Sequence, residues 1–512
     1  MRRTSPRRRA SSTSLSRARR PRAEAMAQAP AEISLGLVSH TNAGKTTLAR
    51  TLLGRDVGEV RDAPHVTDLA EAYTLIETAE GDVLRLWDTP GFGDSARLAK
   101  RLRAADNPIG WMLREVWDRY ANRPLWCSQQ AVRAARESAD VVLYVVNAAE
   151  DPRDAGYLDP EMRILAWIGK PVLLLLNQTG PPRPAADERA EQERWHACVA
   201  HFPVVRGVLA LDAFARCWVQ EDALFARVAD LVSPEKRAAF DRLVAAWHAR
   251  GVERFESAMG ELAGQVMAAV RDRETIVAAA PPGNARRVLR ALGFGADAAD
   301  GAREEAMARL AERADGRIRA VTDRLIALHG LEGTAAATVL ERLRGNYATT
   351  EPVSEGKAAA VGGVVSGALA GLAADLAAGG LTLGAGLIAG AVAGALGGAG
   401  IARGRNRLAG ADSPSVAWSP AFLDGLVRSA LLRYLAVAHY GRGRGAYADS
   451  EAPAFWKDQV ARAFEERRPS FEALWENARQ SGDAARAEDD LREMLAETAR
   501  ELLDRLYPRK GI

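Results

Sequence analysis

Residues Ser39-His40-Thr41-Asn42-Ala43-Gly44-Lys45-Thr46 have the types and spacing to grip a polyphosphate. They follow an apolar run, Ile33 to Val38, and precede a helix-forming one, Thr47 to Leu53. A glycine loop between strand and helix turns its amide N–H groups inward, and the helix N-terminus adds positive potential. In such a loop Lys45 reaches the terminal phosphates and the Thr46 hydroxyl ligates magnesium. Ser39, Asn42, Ala43, Gly44, Lys45, Thr46 and Thr47 are therefore the expected phosphate-binding set, with Ser39 where glycine is usual. A second group, Asp88-Thr89-Pro90-Gly91, ends the alternating run Val83 to Trp87. An aspartate at a strand end can hold magnesium, and the N–H of Gly91 can sense a terminal phosphate because glycine permits close approach. The competing reading of these four residues is a plain aspartate–proline turn.

In their order, the two motifs resemble those of Era/TrmE-like P-loop GTPases. The resemblance implies GTP and Mg2+ as ligands, a catalytic set of Lys45, Thr67 and Gly91, and a metal set of Thr46, Thr67 and Asp88. Thr67 lies about twenty residues past Lys45, where the family's first switch threonine closes over magnesium; an ordinary loop threonine is the other reading. A further motif departs from the family. Asn177-Gln178-Thr179-Gly180 follows an apolar strand where Asn-Lys-x-Asp is the pattern. Asn177 matches and is expected to touch the base, whereas Gly180 has no carboxylate for the guanine edge. That leaves base selectivity open, with Asp212 in Leu211-Asp212-Ala213-Phe214 a candidate acceptor. Phe92 follows Gly91 where many GTPases carry glutamine, so slow intrinsic hydrolysis is expected. Asn42 matches an asparagine that holds K+ in some family members, or it stabilises the loop. The His40 side chain is expected to be exposed.

The resemblance extends to a bacterial group that joins such a domain to a helical C-terminal domain of unknown function with a Gly/Ala-rich stretch. It implies a GTP hydrolase acting as a conformational switch. The alternative is a nucleotide-binding membrane or interaction module with little hydrolysis or relaxed base specificity.

The elements that must position these residues are legible as patterns. Apolar runs predict strands at 33–38, 72–78, 83–88, 141–146, 172–176 and 207–211, with helical stretches between most of them. That is an α/β domain with a mostly parallel sheet and helices on both faces. From Pro234 onward apolar residues recur at three- and four-residue steps, as in Phe240, Leu243, Val244 and Trp247, which predicts a mainly α-helical region. The expected organisation is a disordered tail (1–30), a GTPase domain (31–232), a helical domain (233–355), a Gly/Ala-rich helical hairpin (356–408) and C-terminal helices (409–512). Residues 95–138 exceed what a connection needs. They read as a packed helix or as a surface for a nucleotide-dependent dimer or effector.

Composition narrows the classes. Residues 1–30 hold nine arginines and one acid, which leaves −5 for the remainder of a chain whose net charge is +3. The basic excess belongs to a tail that cannot bury a core, and no specific nucleic-acid partner is expected. The tail reads as a transit-like or anion-binding segment, or as sequence upstream of a true start at Met26. Three scattered cysteines, Cys127, Cys198 and Cys217, provide no disulfide framework and suit a cytoplasmic setting. Residues 357–402 carry glycines four apart (Gly363, Gly367, Gly371; Gly386, Gly390, Gly394, Gly398) and only Lys357 and Asp375 as charges. That spacing fits a small-residue helix interface, either in an inner or peripheral membrane contact or buried within a soluble bundle.

Overall fold

The computed structural model describes residues 30–55, 70–103, 123–180, 183–213, 217–276, 297–331, 401–405, 414–440, 453–480 and 483–507, with Met1, Val57 and Asn107 outside these runs. Thr67, nearly all of the basic tail and most of the Gly/Ala-rich segment lie outside the described residues.

Six strands form one sheet: β1 (Glu32–Ser39), β2 (Glu71–Glu77), β3 (Val83–Asp88), β4 (Val141–Asn147), β5 (Val172–Asn177) and β6 (Val205–Ala210). Their spatial order is β2-β3-β1-β4-β5-β6. All neighbours are parallel except the β2–β3 hairpin. The central strands are apolar along their whole length because both faces are covered. Val142, Tyr144 and Val146 pack toward α2 (Ser95–Leu102), α3 (Arg123–Glu137), α4 (Leu158–Ile168) and α5 (Ala185–Val199). Val141, Leu143 and Val145 pack toward α1 (Lys45–Leu53) and α6 (Trp218–Ala229). β1 and β3 run side by side in register, with Leu37 opposite Asp88. The strand ends that carry the two motifs are therefore adjacent.

A 38-residue helix, α7 (Pro234–Arg271), leaves this domain and enters the next. Its first half contributes Phe240, Leu243 and Trp247 to the core beneath the sheet. Its second half contributes Phe255, Met259, Leu262 and Val266 to a separate core. Polar side chains brace the first half. Lys236 reaches Asp140 at 2.8 Å, and Arg242 forks onto buried Asp82 at 2.7 and 3.1 Å. That guanidinium, more than any other influence, holds the Asp82 carboxyl below its ordinary range.

The second core is built from α8 (Asp297–Leu328), α9 (Pro420–Ala438), α10 (Ala454–Gln480) and α11 (Ala484–Leu506) around the distal half of α7. A small antiparallel sheet flanks it, with β9 (Pro414–Trp418) between β7 (Arg273–Thr275) and β8 (Ile401–Arg405). This revises one end of the expected hairpin over 356–408: residues 401–405 pair as a strand with β9, because that edge provides a backbone partner. Among the described residues no helix is long and apolar enough to cross a membrane.

Candidate functional site

The loop from Ser39 to Gly44 sits at the carboxyl end of β1, with β3 on one side and β4 on the other. Two positions take left-handed backbone: Asn42 at φ 64° and Gly44 at φ 84°. Asparagine is among the few non-glycine residues that adopt this region readily. Ser39 is accommodated because its backbone does not need that conformation. It is fully buried, and its hydroxyl bonds the carbonyl of His40.

The Thr46 hydroxyl donates to Asp88 Oδ2 at 2.6 Å. The other carboxylate oxygen, Oδ1, is buried and has no hydrogen-bond partner. A buried, orphaned carboxylate oxygen beside a threonine hydroxyl fits a divalent cation, with Thr46 and Asp88 as its protein contacts. Among the described residues no group of three or more His, Cys, Asp or Glu could hold a metal alone. The phosphates and water would have to complete the shell, as is usual for magnesium. Lys45 is 8% exposed. Burial pushes its ammonium below its ordinary value, and the charge on Asp88 is the strongest influence opposing this. Burial likewise pushes Asp88 up, with Lys45 and the Thr46 hydroxyl opposing. Two buried opposite charges and an orphaned oxygen mark a place poised for more charge.

Gly91 brings the second motif against the loop, since a Cβ there would lie 3.1 Å from Thr41 Cα. The Thr89 hydroxyl bonds the carbonyl of Leu37 at 2.6 Å, and the amide of Phe92 bonds the carbonyl of Ser39 at 2.8 Å. Phe92 itself is fully buried.

His40 departs from expectation. Its ring is half-buried, stacks on Tyr157 at 4.3 Å and bonds Glu161 Oε1 through Nδ1 at 2.6 Å. Glu161 is fully buried in α4 and also accepts from the Tyr144 hydroxyl at 2.6 Å. Burial raises its carboxyl above the ordinary value despite the bonds from His40 and Tyr144. Glu161 was detectable in principle, because it stands three residues after Leu158 and four before Leu165, on the buried face of α4.

Asn177 is fully buried at the end of β5. Its amide donates to the carbonyl of Ala43 at 2.8 Å, and its oxygen accepts from the amide of Ala213 at 2.8 Å. A Cβ on Gly44 would lie 2.5 Å from the Asn177 amide, so glycine is required there. Thr51 of α1 bonds the carbonyl of Ala213 at 2.9 Å. The 211–213 loop is thus strapped to the phosphate loop and to its helix. Of the expected set, Ser39, Asn42, Ala43, Gly44, Lys45, Thr46, Thr47, Asp88, Gly91 and Asn177 all belong to this one end of the sheet.

Residues 204–507 match the family described as a domain of unknown function, DUF3482. The chain belongs to the DUF3482 family. Residues 34–178 of this DUF3482 protein match the family described as 50S ribosome-binding GTPase. The chain therefore joins a domain that matches this GTPase family to a mainly helical DUF3482 region. Among curated proteins it is similar to GTPase Der of Mycobacterium avium, 30% identical over 161 residues; the match spans 31% of this chain and 28% of Der. Among solved structures it is similar to a variant of Era from Aquifex aeolicus bound to GDP·AlF4−, at 16% identity and a TM-score of 0.29. That match covers 50% of this chain and 74% of the other. A structure of Era with MgGDPNP and a 16S ribosomal RNA fragment gives 16% identity and the same score, over 40% of this chain and 57% of Era.

Proposed function

We propose that this DUF3482 protein is a magnesium-dependent GTPase that works as a conformational switch with slow intrinsic hydrolysis. The observation that supports this most directly is the contact of Thr46 with Asp88, beside Lys45, at the mouth of a loop shaped for phosphate. In this reading the loop amides and Lys45 bind the β- and γ-phosphates. Thr46 and Asp88 hold the magnesium ion, joined by Thr67, whose role remains an expectation from its spacing. Bound magnesium neutralises phosphate charge. Gly91 would donate its N–H to a γ-phosphate, and loss of that phosphate would free the segment leading to Phe92. Asn177 acts by positioning, since both ends of its amide already hold backbone.

A second reading, nucleotide binding with little hydrolysis, is favoured by one feature. Phe92 is buried and apolar where a side chain that orients the attacking water would follow the glycine. Phosphate release and nucleotide binding, measured on the same preparation, separate the two readings. Lys45→Ala should weaken GTP binding by about a hundredfold or more and abolish any release. Unchanged binding would sink both. Comparing turnover in potassium and sodium salts tests the role expected of Asn42; equal rates would remove it.

A further inference from the structure

One face of the sheet brings three elements to a single buried side chain. Side chains alternate along a strand, so Val38 and His40 project to the same side of β1. Tyr144 of β4 stands opposite Val38 in the register. Phe92 and Leu98, on either side of the turn into α2, pack into the core on that side. There α4 covers the sheet and also packs against α2. Glu161 projects from α4 into this junction and is fully buried.

Each bond of Glu161 runs to a different element. His40 of the phosphate loop and the Tyr144 hydroxyl of β4 both lie 2.6 Å from its carboxyl oxygens. The hydroxyl of Ser95, buried at the first residue of α2, is the third partner. A carboxyl group out of water is costly unless its bonds are made, so the three elements are tied as a unit. Gly91 lies between the two ends of this tie. On its entry side the Thr89 hydroxyl bonds the carbonyl of Leu37 at 2.6 Å. On its exit side the Gly93 amide bonds the Ser128 hydroxyl at 3.1 Å, and Ser95 then meets Glu161.

We infer that Glu161 is a positioning residue for triphosphate recognition: by joining His40 to Ser95 it sets where the Gly91 N–H stands relative to the phosphate loop. This rests on reading the domain as a nucleotide-dependent switch. A diphosphate meets the loop, Lys45 and Thr46 but offers no γ-phosphate to Gly91. Loosening the tie therefore lowers triphosphate affinity more than diphosphate affinity. A general weakening of the fold lowers both together.

Calorimetric titration of the full chain with GDP and with the non-hydrolysable analogue GppNHp, in magnesium, reads the ratio of the two affinities. Ser95→Ala removes one end of the tie with little change in volume and should lower the GppNHp-to-GDP affinity ratio about tenfold. Ser95→Thr keeps the hydroxyl and should keep the ratio. Glu161→Gln should also lower it, and adding Ser95→Ala to that variant should change it little further, because both remove the same link. An unchanged ratio in Ser95→Ala would overturn the inference, since the bond from Gly93 to Ser128 would then suffice to hold the turn. So would a Ser95→Thr variant that falls as far as Ser95→Ala, or two single effects that add in full. Should Glu161→Gln unfold, Ser95→Ala and Ser95→Thr decide the matter alone. Wild-type protein that binds neither nucleotide would instead remove the switch reading, and the inference with it.

Discussion

Buried Glu161 and half-buried His40 show what one pair can tell about the loop. The folded chain holds the Glu161 proton more tightly than the unfolded chain, because burial raises its carboxyl above the ordinary value of 4.5. Stability from this group is complete below that value and is lost as pH rises through the higher folded one. Replacing Glu161 with Gln removes the dependence while keeping an acceptor for Tyr144. Relative to wild type, the variant should gain stability as pH is raised from below 4.5 toward neutrality, measured as urea midpoints. A difference that stays constant over this range would mean that His40 keeps the carboxyl ionised. Two residue pairs beside the site are contacts that the sequence does not reveal. His40 and Glu161 are 121 positions apart, and Thr179 and Asp212 are 33 apart. Only the fold makes them neighbours.

Elements were far more legible. All six strands fall within two residues of expectation: β4 and β5 are buried parallel strands that read as unbroken apolar runs, and β3 shows the alternation of a hairpin strand. The least accurate boundary is β6, at Val205–Ala210 where 207–211 was expected; it is an edge strand and only partly buried. In α7 the apolar spacing was clear, yet nothing local shows that one helix serves two cores. Gly251 lies midway along it, and a Cβ there would lie 3.2 Å from Trp218 Cε3. The ordinary gain of about 1 kcal/mol for alanine over glycine in a helix is set against this contact. Gly251→Ala should be close to neutral, whereas Gly251→Val should cost about 1–3 kcal/mol by overpacking. Chemical denaturation of the two variants checks the order; a neutral valine would mean that Trp218 swings aside freely.

For the whole molecule, α7 bears on where the nucleotide domain ends. Phe240, Leu243 and Trp247 complete the core beneath the sheet and cover Phe225 and Leu224 of α6. Each such side chain contributes about 1.5–3 kcal/mol when buried. A fragment ending at 250 should therefore fold and melt cooperatively, while one ending at 232 should be much less stable. Equal melting of the two would show that these contacts add nothing. The DUF3482 match begins at residue 204, inside the last stretch before β6, so sequence relatedness and packing draw different borders.

The second core also reaches the start of α6. Cys217 and Val219, just beyond the 211–213 loop, lie within it, and Trp218 bonds the Tyr434 hydroxyl at 3.3 Å. The halves of this chain are thus not interchangeable cassettes. A chimaera spliced at the loop parts α6 and the first half of α7 from the sheet core, and one spliced beside Gly251 parts Trp218 from Tyr434, so neither border leaves both cores whole.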